Sequence, residues 1–116
     1  ARDIAASAAA ALQTDRFNGR AFTLTGPVAL SYEQAAAVLS NAAGREIRYV
    51  PVDHESFVTS LVDNGAPDDL ARYLATLFEF VRQGAAETVS PSVEELTGRP
   101  ARTLIRYAQE HASAWR

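Results

Sequence analysis

The sequence predicts a helix-rich α/β chain, with about two strands flanking one helix in a βαβ-like unit and about five helices in all. Three observations carry this. Short alternating runs at 21–25 and 46–52 have the period of strands. The rest has apolar residues at helical spacing, and Ser, Thr, Asp, Gly and Pro stand where helix ends need them. Finally, a hydrophobic share of 47% and a charged share of 22% are ordinary for a globular protein.

The opening stretch Asp3–Thr14 reads as a helix. Asp3 stands where it can cap it, and Ile4, Ala8, Ala11 and Leu12 form the apolar stripe. Asn18-Gly19 marks a turn. Ala21–Thr25 then alternates Phe22 and Leu24 with threonines, as a strand does. Gly26-Pro27 ends it. Ser31 and Gln34 match a capping box, and Tyr32, Ala35, Ala36, Leu39, Ala42 and Ala43 share one face of the helix that follows. Gly44 suits a left-handed C-terminal cap, and β-branched, aromatic Glu46–Val52 reads as the second strand.

Asp53 caps a third helix carrying Phe57, Val58, Leu61 and Val62, which Gly65 closes. Pro67, Asp68 and Asp69 open a fourth that runs to about Gln83, with Leu70, Tyr73, Leu74, Leu77, Phe78 and Val81 on one side and Phe80 outside that stripe. Ser92-Val93-Glu94-Glu95 repeats the capping-box pattern for a short helix stopped by Gly98 and Pro100. Thr103 caps the last, whose buried stripe is Leu104, Ala108, His111 or Ala112, and Trp115.

Composition excludes much chemistry. With Cys at 0 there is no disulfide, thiolate nucleophile or thiolate metal site. All 11 basic residues are Arg, so a Schiff-base lysine, a P-loop lysine and a Tyr-x-x-x-Lys proton relay are ruled out. A net charge of -3 argues against a nucleic-acid surface. No apolar run approaches the ~20 residues that cross a bilayer, and a cytoplasmic location is expected. With Met at 0, the chain is not expected to be a whole, unprocessed translation product.

Several stretches, in order, resemble the C-terminal third of NmrA-like proteins, a branch of the atypical short-chain dehydrogenase/reductase superfamily. They are Arg2-Asp3-Ile4-Ala5-Ala6, then Phe22-Thr23-Leu24-Thr25-Gly26-Pro27, Leu30-Ser31-Tyr32 and Gly44–Val52. Val93–Pro100 followed by Thr103-Leu104 completes the set. The resemblance implies a C-terminal fragment of a Rossmann-type protein. Residues 1–30 would end the Rossmann-type domain with its last helix and strand, and 31–116 would form a helical, substrate-side lobe. It also implies NADP or NAD in the full-length protein, and a small-molecule substrate such as a carbonyl or quinone-like compound. The family's Gly-x-x-Gly-x-x-Gly loop, which would hold the pyrophosphate at a helix N-terminus, is absent from the chain. No cofactor is therefore expected on this chain alone, and no catalytic or cofactor-binding position is carried over.

The residues nominated for a substrate wall are Tyr49, Tyr73, Leu77, Phe78 and Val81. Such pockets are largely apolar with a few polar groups, and Tyr73 offers a hydroxyl among hydrophobes. Plain core packing competes for the same residues. Asp3 is read first as a cap, and Gly26-Pro27 as a turn rather than a ligand loop. His54 and Glu55 are adjacent and so do not face each other on a helix; with His111 distant in sequence, no metal is expected. Arg45, Arg48, Arg99, Arg102 and Arg106 are scattered, as solvated faces and helix ends require. Three readings stay open: a reductase fragment, a non-catalytic NAD(P)-sensing regulator of the same type, and a free-standing interaction module. Two strands and a wide apolar helix need cover, so self-association into a homo-oligomer is expected of the isolated chain.

Overall fold

The computed structural model describes residues 1–115. It contains α1 (Arg2–Leu12), α2 (Tyr32–Ala43), α3 (His54–Asp63), α4 (Asp68–Arg82), α5 (Ser92–Thr97) and α6 (Leu104–Glu110). Short 3-10 turns stand at Asp15–Phe17 and Ala112–Ala114.

The caps act where the sequence places them. Ser31 Oγ accepts the Gln34 N–H at 3.2 Å while the Gln34 side chain accepts the Ser31 N–H at 2.8 Å, a complete capping box. Gly44 closes α2 in the left-handed region at φ 68°, which a side chain would resist. The Asp53 carboxylate caps α3 through the Ser56 N–H, and Thr103 caps α6 through the Arg106 N–H. Substituting Ser31 by Ala should cost about 1 kcal/mol. Urea unfolding of the two proteins measures it, and equal midpoints would show that the box contributes nothing.

Four expectations are corrected. No strand occurs among the described residues, so neither Ala21–Thr25 nor Glu46–Val52 belongs to a βαβ unit. A strand exists only by pairing its backbone with another, and the bonds of these two stretches to other segments run through single side chains instead. The Ser90 N–H donates to Thr25 Oγ1 at 2.9 Å, and the Ile47 N–H to Ser40 Oγ at 2.8 Å. Six α-helices form among the described residues rather than about five. Asp3 is not an N-cap: Ala1 holds that position, and the Asp3 carboxylate accepts the Arg102 N–H at 2.8 Å. Ser92 lies inside α5, whose cap position is Pro91, and the Ser92 N–H donates to Ser90 Oγ at 3.2 Å.

The chain divides into two compact units. One comprises residues 1–48 with the stretch from Val89 onward; the other is Tyr49–Thr88. In the first, α1 packs on α5 and α2 on α6. Its buried residues are Ser7, Phe17, Ser92, Val93, Leu96 and Ala108. The Phe17 and Phe22 rings meet edge to face at 5.6 Å, and the Arg20 guanidinium lies over the Phe22 ring at 4.6 Å while pairing with Glu95 at 2.7 Å. In the second unit, α3 packs on α4 around Val58, Ala71 and Ala75, with Phe57 and Leu61 against them.

α1 is apolar on two sides. Ser7 is buried on one, whereas Ile4, Ala5, Ala8 and Leu12 are exposed on the other, Leu12 at 88%. A helix apolar all round normally lies inside a protein, and small alanines permit a close neighbour.

Candidate functional site

The five nominated residues all lie in the Tyr49–Thr88 unit, but α4 does not present them on a single face. Its spacing generates two stripes. Ala71 and Ala75, at 0% and 3% exposure, make the contact with α3. Leu70, Tyr73, Leu77 and Phe80, at i, i+3, i+7 and i+10, stand exposed on the side turned away from the alanines, at 46%, 65%, 42% and 56%. A row of four large apolar side chains left in water is not what a fully solvated helix face carries.

Tyr73 and Leu77 therefore belong to the exposed stripe. Phe78 lies closer to the α3 side: its ring meets Phe57 edge to face at 5.6 Å while about two fifths of it stays exposed. Val81 is half-buried. Tyr49 lies in the segment leading to α3, where its hydroxyl meets the Arg82 side chain. Phe80, read from sequence as off the stripe, is part of the exposed row, and Leu70 heads it.

Arg82 anchors the end of α4. Its Nη1 donates to the Val52 carbonyl at 3.1 Å, and its Nη2 is bonded to Glu79. That bond and the adjacent positive charge hold the Glu79 carboxyl below the usual carboxylate range and raise the guanidinium's own pKa further. Tyr49 and Val52 are thus tied to the last turn of α4. The exposed row offers apolar area, aromatic edges and the Tyr73 hydroxyl.

Most of the remaining sequence candidates have partners of their own. Arg72, rather than His54, engages Glu55, at 3.7 Å, and pairs with Asp68 at 2.9 Å. His111 stacks on Tyr107 at 4.4 Å, its Nδ1 2.9 Å from the Tyr107 carbonyl oxygen. No group of three or more His, Asp or Glu suited to a metal occurs among the described residues. Arg45 donates to the Trp115 carbonyl, Arg48 pairs with Glu46, and Arg102 and Arg106 both reach Glu110. Gly26-Pro27 forms part of an irregular loop before α2. No helix among the described residues is long and apolar enough to cross a membrane.

No protein-family model matches the chain. It is 40% identical over 115 residues to an NAD(P)H azoreductase from Xenophilus azovorans, covering 99% of this chain and 40% of that protein. It is 38% identical over 114 residues to a (4-alkanoyl-5-oxo-2,5-dihydrofuran-3-yl)methyl phosphate reductase from Streptomyces griseus, covering 98% and 40%. Among solved structures, an NADPH-dependent quinone oxidoreductase from Escherichia coli superimposes with a TM-score of 0.81 at 29% identity, over 93% of this chain and 39% of that one. The chain spans about two fifths of the length of these relatives. All three of these proteins are named as reductases or oxidoreductases, and two of the names give NADPH or NAD(P)H as the cofactor.

Proposed function

We propose that the chain is the substrate-side portion of an NAD(P)H-dependent oxidoreductase of the NmrA-like type, acting on a small carbonyl or quinone-like compound. The observation that carries this is the end-to-end match of the chain to only two fifths of reductases, together with apolar surface that this portion leaves uncovered. The exposed sides of α1 and α4 are what such a portion would turn toward the rest of the protein and toward a substrate. Hydride chemistry belongs to the nicotinamide, held by an upstream Rossmann-type segment with its own phosphate-binding turn. This chain supplies Tyr49, Tyr73, Leu77, Phe78 and Val81 as the substrate wall and contributes no catalytic group.

The test uses the full-length protein with NADPH and a benzoquinone. Quinone-dependent NADPH oxidation is expected. Tight NADPH binding without turnover would favour the alternative, a cofactor-sensing regulator, and failure to bind NADPH at all would leave a free-standing interaction module. In an active protein, Phe78→Ala should raise the quinone KM about tenfold, the loss from removing one well-packed ring, while leaving the NADPH Kd unchanged. An unchanged quinone KM would remove Phe78 from the wall.

A further inference from the structure

A cleft of about 760 Å³ lies within the unit built from residues 1–48 and the stretch from Val89 onward. Its volume is that of a small-molecule site. Val28 and Leu30 of the loop before α2 face it from one element, Ile105 and Tyr107 of α6 from another, and all four are substantially exposed. Arg2 and Arg102 also line it.

The charges beside this apolar body do not cancel. The Glu110 carboxylate receives Arg102 Nη1 at 2.6 Å, Arg106 Nε at 3.0 Å and Arg2 Nη1 at 3.3 Å. Asp3, the other carboxylate of the group, is committed to the Arg102 N–H. Three guanidinium groups against two carboxylates leave one positive charge over. Arg102, 19% exposed, makes the shortest of the three bonds to Glu110, whereas Arg2, at 69%, pairs least closely and stays open to an incoming anion. The bond from Arg106, with the charges of Arg102 and Arg2, holds the Glu110 carboxyl below its ordinary range, so it stays ionised beside them.

We propose that this cleft binds a small amphipathic monoanion, an aryl or alkyl carboxylate, with its apolar part against Val28, Leu30, Ile105 and Tyr107 and its carboxylate toward Arg2 and Arg102. The apolar walls supply the contact area, and the unbalanced guanidinium selects the anion over its neutral analogue.

The probes are 2-naphthoate and 2-naphthalenemethanol, titrated into the chain and followed by ligand-observed NMR with no cofactor present. 2-Naphthoate should bind about tenfold more tightly than the alcohol, and Arg2→Gln should erode that preference. Val28→Glu, at a loop position 63% exposed and so compatible with folding, should weaken 2-naphthoate about tenfold. Tyr73→Ser on α4 should leave binding unchanged. Equal affinity for the two probes, no binding of 2-naphthoate at millimolar concentration, or loss of binding in Tyr73→Ser but not in Val28→Glu would overturn the proposal. Because no NAD(P)H is involved, these outcomes are separate from the fate of the oxidoreductase reading.

Discussion

Replacing Ala71 by leucine is expected to destabilise the α3–α4 pair by about 3 kcal/mol, the upper part of the usual range for overpacking. The Ala71 side chain has no exposed surface and sits in one cluster with Val58 and Ala75, so added atoms have no solvent side to turn to. Leucine would have to push the helices apart or leave its preferred rotamers. The effect should appear as a lowered melting temperature in circular dichroism. Tyr73→Ser, on the exposed row of the same helix, should stay within about 0.5 kcal/mol of the parent. If Ala71→Leu melted with the parent, the packing of α3 on α4 through the alanines would be wrong.

Asp3→Ala should cost about 2 kcal/mol, because a charged acceptor is removed and the part-buried Arg102 N–H loses its partner. The bond spans 99 positions in sequence, so its loss frees the stretch ahead of α6 from α1 as well as removing one contact. Asp3→Asn keeps an acceptor oxygen and should recover much of the difference. Chemical denaturation of the three proteins decides it: an alanine variant as stable as the parent would show that the Arg102 N–H finds water as readily as it finds Asp3.

The helix ends were legible because their chemistry is local. A capping hydroxyl and its N–H are three residues apart, as in Ser31 with Gln34, and the left-handed turn at Gly44 needs only the residue itself. Asp3 was misread for the converse reason: an aspartate at the start of a helix looks the same whether it caps that helix or reaches a loop at the far end of the chain. The two strands failed likewise. Alternation at 21–25 and 46–52 states which side chains agree with a strand, but not whether a second backbone lies alongside. In α4 the apolar spacing is visible, but the stripe read from it leaves out Ala71 and Ala75, the residues that are buried. The side that packs is made of alanines, which weigh little on a hydrophobicity count, while the large residues beside them draw the eye to the side that does not pack. The nominated wall therefore mixes Phe78, which leans on Phe57, with Tyr73 and Leu77, which stand free of the α3 contact, and omits Phe80.

The division of labour on α4 bears on how such a protein can diversify. The methyl groups of Ala71 and Ala75, with the Phe78 ring on Phe57 and Arg72 on Glu55, hold the helix to its neighbour, while Leu70, Tyr73, Leu77 and Phe80 are not among the cluster residues. Selection on the second set is therefore nearly uncoupled from selection on the first. A lineage can exchange a ring for a branched chain along the exposed row without drawing on its narrow margin of stability. Positions 70, 73, 77 and 80 are accordingly where a mutant library would meet the lowest rate of misfolding, with 73 and 77 reporting on the proposed substrate wall, and positions 71 and 75 are the ones to leave untouched.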